Sequence, residues 1–255
     1  MQILTNQEGP VLRLQINRPE KKNALTLEMY GQMTSALEAA DRDPTVRVIL
    51  IHGSGDSFTS GNDLQDFVQA PPVGDDSPVG RFITAISQAR KPLVAAVSGV
   101  AVGIGTTMLL HCDFVYAAEN TRFQAPFVNL ALLPEAGSSL LLPMQIGHLR
   151  AAELLMLGEP FAAAKALQYG LVTEVAADGA AALAAAQAVA AKLAAKPPAA
   201  LHLTKLLLKG PHAKQVAAQV TDETRYFVEQ VRSPEAAEAF QAFFEKRAPN
   251  FTQFA

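Results

Sequence analysis

The sequence has a single cysteine, Cys112, so no disulfide can form within the chain and the fold has to rest on packing. That fits a reducing compartment. No apolar run reaches the ~18–20 residues needed to span a bilayer. The most apolar stretch, 93–110, is broken by Ser98, Gly99, Gly103, Gly105 and two threonines. The N-terminal MQILTNQEGP has no charged region followed by an apolar one, and the C-terminal TQFA is not an SKL-type peroxisomal address. The expectation is a cytoplasmic protein with no membrane partner. Charge is also scarce: 18% of residues are charged and the net charge is −3, against 49% hydrophobic residues. This balance excludes a disordered chain and a surface built throughout to hold nucleic acid. A chain of 255 residues buries roughly 70–75% of its unfolded surface and needs neither metal nor disulfide for a core.

Several chemistries lack their residues. None of the five histidines pairs with another at i, i+4, and there is no C-x-x-C, so no metal site is expected. Gly99–Gly105 (GVAVGIG) is Gly-rich, but matches neither G-x-G-x-x-G nor a phosphate loop with its lysine. No serine sits in G-x-S-x-G. Cys112 has no electropositive sequence neighbourhood to lower its pKa, and it reads as a packing residue.

What is present divides near residue 145. Before it, apolar segments at 11–17, 46–52, 93–97 and 113–117 read as strands. They alternate with helical stretches at 26–40, 81–89 and 103–111, the pattern of a largely parallel sheet. After Gly147 the chain is Ala-rich and helical. A helix is expected over 178–196, with Leu183, Val189 and Leu193 as its apolar stripe, stopped by Pro197-Pro198. Further helices are expected at 199–209, ended by Gly210-Pro211, then at 213–232 and 234–247.

Three segments carry possible chemistry. Phe58-Thr59-Ser60-Gly61-Asn62-Asp63-Leu64 follows a buried strand and opens a short helix that Asp63 would cap. Gly103-Ile104-Gly105 opens another. Amide N–H groups at helix starts lack intrahelical partners. Two such turns facing one another could hold a developing oxyanion, or both could be simple strand-to-helix turns. In the third segment, Glu135 lies between apolar runs. It is either a general base with a raised pKa or an acidic residue favouring the first turn of a helix.

Taken together and in order, these segments resemble the crotonase (enoyl-CoA hydratase/isomerase) superfamily over nearly the whole chain. Asn17-Arg18-Pro19 with Asn23-Ala24-Leu25 resembles its NRP…NAL segment near the CoA-binding loop, and 58–64 its F-x-x-G-x-D-[LI] turn. Residues 97–113 resemble V-x-G-x-A-x-G…CD, and Phe243-Phe244-Glu245-Lys246-Arg247 its C-terminal ending. The resemblance implies an α/β spiral of ββα units over 1–195, with a C-terminal helical trimerisation region over 196–255. It implies an acyl-CoA thioester substrate, a homotrimer or dimer of trimers, and no cofactor beyond the coenzyme A of the substrate. The family's oxyanion donors map to the N–H groups of Asn62 and Ile104. Lys22, Ala24, Leu25, Ser60, Gly61, Asp63, Leu64, Gly103 and Phe127 map to substrate-binding positions. Phe243 and Lys246 become candidate contacts to CoA, with Lys21, Lys22, Lys246 and Arg247 as candidate phosphate cations.

Two departures are informative. Where hydratases of the family carry their two glutamates, this sequence has Thr107 and Phe127. Glu135 instead falls where the peroxisomal-type Δ3,Δ2-enoyl-CoA isomerases carry one. The resemblance therefore implies a shift of 3-enoyl-CoA to 2-trans-enoyl-CoA, with a hydratase, another crotonase-type enzyme or a non-catalytic acyl-CoA-binding protein as alternatives.

Overall fold

The computed structural model describes residues 2–69 and 74–254. Four apolar segments form the centre of a six-stranded sheet of order β1-β2-β3-β4-β6-β9. They are β2 (Val11–Ile16), β3 (Val48–Gly53), β4 (Leu93–Val97) and β6 (Phe114–Ala118), all paired in parallel. β1 (Ile3–Glu8) adds an antiparallel edge, a strand not anticipated from its polar sequence, and β9 (Glu174–Ala176) closes the other edge. All of β1 but Ile3 is exposed, so it carries little of the apolar alternation that marks a strand.

A second, three-stranded sheet has the order β5-β7-β8, from β5 (Val100–Val102), β7 (Arg122–Gln124) and β8 (Phe161–Ala162). The chain passes from β4 to β5 and from β6 to β7, leaving the large sheet for the small one each time. After β5 a short helix returns it directly to β6; after β7 helices lead first to β8, still in the small sheet, and then to β9, so the chain winds as a spiral.

Both faces of the large sheet are covered, which is why β4 and the first four residues of β3 are apolar. On one face Val48, Leu50, Val94 and Ala96 lie under α8 (Gly179–Ala194). There the fully buried helix positions are Ala182, Ala186, Ala190 and Ala194. Leu183, Val189 and Leu193 flank them, only partly buried, so the small residues face the sheet. The other face carries Ile49, Ile51, Ala95 and Val97 into the main core with α1 (Leu27–Arg42) and α3 (Pro78–Ser87). Between them α2 (Leu64–Gln69) follows the turn at 58–63. The helix expected over 103–111 is a single α-turn, α4 (Ile104–Thr107), continued by a 3-10 turn. α5 (Ser138–Ile146), α6 (His148–Ala152) and α7 (Ala163–Gln168) complete the middle of the chain.

The break expected at Gly210-Pro211 does not occur. α9 (Pro198–Gln230) runs through it for 33 residues with Pro211 inside. A proline removes one helical hydrogen bond. Here Val216, Val220 and Phe227, packed on the main core, keep the following turns helical. α10 (Pro234–Glu245) then folds back, placing Phe240 and Phe227 edge-on to Phe67 of α2, with ring centroids 6.3 and 5.8 Å away. Among the described residues no helix is long and apolar enough to cross a membrane.

Candidate active site

The two Gly-rich turns do face each other. Thr59 and Ala101 form a parallel bridge, with Thr59 N–H donating to Val100 O and Val102 N–H to Thr59 O, both at 3.0 Å. Gly61 has φ +88°, and a Cβ there would stand 2.7 Å from Val102 O. A Cβ on Gly105 would stand 2.7 Å from the Thr59 methyl. Glycine is needed on both sides because the turns are pressed together. The neighbouring donors are used: Gly61 N–H goes to Thr59 Oγ1 and Asp63 N–H to Leu25 O. The N–H groups of Asn62 and of Ile104, first residue of α4, have no hydrogen-bond partner among the described residues.

Glu135 reaches this region from a turn before α5. It is 7% exposed, and Oε1 accepts a 2.9 Å bond from Thr107 Oγ1 on α4. Burial pushes its pKa up to about 8; the Thr107 bond opposes the rise and the Glu223 carboxylate adds to it. Glu135 is not in a helical first turn, since α5 begins at Ser138 and Gly137 occupies the cap position. Glu135 and Asn62 line one small cavity of about 30 Å³, walled by Phe67, Val79, Ile83 and Phe227. Ile104 is not on that wall; it adjoins the site through α4, which carries Thr107.

Four further residues complete the arrangement. The Tyr30 hydroxyl donates to Asn62 Oδ1. Its pKa is held above the ordinary value by burial and then by the charge of Glu135. Thr107, noticed in the sequence only as a missing carboxyl, is the hydrogen-bond partner of Glu135. His111 Nε2 lies 2.8 Å from Ala136 O and must be the donor, because a carbonyl only accepts. Burial pushes the His111 pKa down to about 4, so the ring is neutral near pH 7. Glu223 of α9 accepts from Gly137 N–H at 2.6 Å and from Ser139 N–H at 2.9 Å. Its one sequence signal is spacing: Val216, Val220, Glu223 and Phe227 put a carboxyl in an apolar helical stripe.

Of the remaining expected positions, those at 22–25 and 60–64 flank the first turn, and Phe243 and Lys246 lie apart from it. Asp63 caps α2 through Gln65 and Asp66 N–H, and it pairs with Arg18 at 2.7 Å. Lys22 is exposed with φ +50°, and its carbonyl accepts from Ser60 N–H. Leu25 is buried, whereas Ala24 and Leu64 are half-buried. Phe127 is a core residue, 6% exposed. Phe243 is exposed near the end of α10 and Lys246 is its left-handed cap; neither lines the cavity that Asn62 and Glu135 share. Arg247 is engaged by both Glu238 oxygens, at 2.6 and 3.0 Å, and by Glu245, which leaves it poorly placed as a phosphate cation. Burial pushes the Cys112 thiol up to about 12, in keeping with a packing role. Among the described residues no group of three or more His, Cys, Asp or Glu could hold a metal ion.

Residues 6–254 match the family model described as enoyl-CoA hydratase/isomerase. The chain is 34% identical over 258 residues to a 1,2-epoxyphenylacetyl-CoA isomerase of Escherichia coli, covering 98% of both chains. It is 32% identical to the human enoyl-CoA delta isomerase 2, covering 96% of this chain and 64% of that protein. It is equally similar, at 32%, to an E. coli 2,3-dehydroadipyl-CoA hydratase, with 98% of each chain covered. Among solved structures, Pseudomonas aeruginosa OdaA superposes with a TM-score of 0.93 at 48% identity, covering 95% of this chain and 98% of that one. An enoyl-CoA hydratase/isomerase from Pseudoalteromonas atlantica gives 0.93 at 42%, covering 99% and 100%.

Proposed function

The chain belongs to the enoyl-CoA hydratase/isomerase family, and on that premise we propose that it is an acyl-CoA double-bond isomerase converting 3-enoyl-CoA to 2-trans-enoyl-CoA. Both isomerases and hydratases stand among its relatives, so the choice has to come from the site. The observation that carries it is a single carboxyl, Glu135, buried beside Asn62, with Thr107 and Phe127 at the two positions where a hydratase would need carboxyls to activate water.

In the proposed reaction Glu135 removes a proton from C2. The C–H electrons form a C2–C1 double bond as the thioester carbonyl becomes an oxyanion, giving a dienolate. Asn62 and Ile104 N–H donate to that oxygen. Such donors contribute most where charge develops, and removing one costs ~2.7–4 kcal/mol of barrier. Protonated Glu135 then gives its proton to C4, and the double bond settles between C2 and C3. One proton leaves and one returns, so the step needs no oxidant and consumes no water. Thr107 holds one Glu135 oxygen, leaving the other for the substrate.

Lys22, Ala24, Leu25, Ser60 and Leu64 border the turn that would receive the thioester arm. Phe243 and Lys246 would meet coenzyme A only across a subunit boundary. Exposed Leu149, Leu203, Leu207 and Leu208 support assembly into a homotrimer or dimer of trimers, since an isolated chain rarely exposes so many large apolar side chains. The test is to supply 3-enoyl-CoA and 2-enoyl-CoA separately. The first should yield the conjugated thioester absorbance and the second almost no 3-hydroxyacyl-CoA; efficient hydration would overturn the assignment.

A further inference from the structure

The turn that carries Glu135 has one hydrogen bond of its own, from Ser138 N–H to Glu135 O at 3.1 Å. Ala136 and Gly137 are both left-handed, with φ +60° and +71°. An alanine adopts that conformation seldom, and only where its surroundings over-determine it. Nor does the turn cap itself, since Gly137 offers no side chain to the N-terminus of α5. The other contacts that fix it come from elsewhere. His111 donates to Ala136 O from one side. From the other, Glu223 accepts Gly137 N–H on Oε2, and Ser139 N–H and Oγ on Oε1, at 2.6, 2.9 and 2.5 Å. Gln219 Nε2 donates to Ser139 Oγ at 2.9 Å. Val216 and Val220 lie beside Gly137, where a Cβ would be 3.4 and 3.5 Å from their methyls. One face of α9 thus closes on the turn with a buried carboxylate, 84 to 86 residues further along the chain.

Resting on the reading of Glu135 as the acid/base group, we propose that Glu223 is a positioning residue for the proton transfer, fixing from α9 the turn from which Glu135 projects. An ordinary cap satisfies one helix end from the residue beside it. Glu223 instead grips the backbone two and four residues beyond Glu135, on both sides of Ser138. Small misplacement of a reacting group costs up to ~10²-fold in rate, so the grip bears on turnover and not on substrate affinity. It also bears on charge. The titratable groups facing Glu135 are Tyr30 from α1 and Glu223 from α9, and neutral His111 faces the adjoining carbonyl. The negative charge of Glu223 raises the Glu135 pKa.

Glu223→Gln keeps the shape, removes the charge and turns an NH₂ toward one of the three donors. It should lower kcat by roughly ten- to a hundredfold with KM nearly unchanged. It should also move the pH at which activity reaches half its maximum to lower values. Glu223→Asp keeps the charge and should lose kcat without that shift. An unchanged kcat, a loss confined to melting temperature, or a change in KM alone would each overturn the proposal. If Glu223→Gln does not fold, Ser139→Ala, which removes two contacts at most, decides it: kcat should still fall at constant KM, and an unchanged kcat is the contrary result. Exchange of acyl-CoA C2 hydrogens in heavy water is followed in parallel. Exchange by the parent protein, unaltered in Glu223→Gln, defeats the positioning role alone. No exchange and no isomerisation by the parent defeats the reading of Glu135 as well.

Discussion

The turn at 59–62 and the turn at 135–139 meet at one site but are built in opposite ways. The first is held through backbone: Thr59 pairs with Val100 and Val102 of β5, Ser60 and Gly61 bond Lys22 and Leu25, and the group proposed to act is itself a backbone N–H. The second exposes a side chain to the site and is held by His111 and Glu223, which come from other parts of the chain. A backbone donor needs only a backbone path, which glycine provides. A buried carboxyl needs an apolar wall, a fixed turn and a partner for its oxygen, and these are contributed by five separate elements.

Glu135→Gln separates the two turns most sharply. It should leave fold and acyl-CoA affinity nearly intact and lower isomerisation by 10⁴-fold or more, at or beyond the top of the range for a lost general base. Isomerase rate and acyl-CoA binding measured on this variant check it; near-normal turnover would place the base elsewhere. With the parent enzyme, the rate should climb with pH toward about 8, because Glu135 must first lose its proton.

Gly61→Val attacks the other turn. The new Cβ meets Val102 O and the backbone must leave φ +88°, so Asn62 N–H loses its aim. The expected loss is about 10²–10³-fold in kcat, the effect of one oxyanion donor. A tolerated valine would contradict the donor role.

Stability gives a smaller and independent readout. Glu135 binds its proton more tightly folded (pKa about 8) than unfolded (4.5), so stability falls as pH rises through that interval. His111, lowered to about 4 from 6.5, acts in the opposite sense below pH 6.5. Between pH 6.5 and 8, Glu135 should therefore cost roughly 1–2 kcal/mol of stability. Denaturant unfolding at both pH values should show a shallower loss in Glu135→Gln than in the parent; equal slopes would contradict the burial effect.

Asn62→Ala should have the least effect on turnover, since alanine keeps the N–H. It leaves the buried Tyr30 hydroxyl without its acceptor, which costs about 1–3 kcal/mol of stability. A melting curve and a rate constant together test this, and an indispensable Asn62 side chain would contradict main-chain action.

The same contrast explains what the sequence discloses. The four central strands, the Asp63 cap and the two glycine turns are local patterns, and each was legible; that the turns face one another was not read from spacing. β1 was missed because an edge strand exposed everywhere but at Ile3 has too few apolar residues to reveal itself. Pro211 misled because a long helix packed on a core tolerates the loss of one hydrogen bond. Glu135 was legible as a carboxyl in an apolar setting. Its supports Tyr30, Thr107, His111 and Glu223 were not, because each joins the site only through the folded spiral; the apolar stripe around Glu223 marks a buried carboxyl but not what it contacts.

The central claim is that one shielded carboxyl carries one proton from C2 to C4. The direct test is a single turnover, in ordinary water, of 3-enoyl-CoA bearing two deuteriums at C2. Because Glu135 is 7% exposed, part of the removed deuterium should reappear at C4 of the 2-trans-enoyl product. A product whose new C4 hydrogen comes wholly from solvent would contradict transfer by a single buried base.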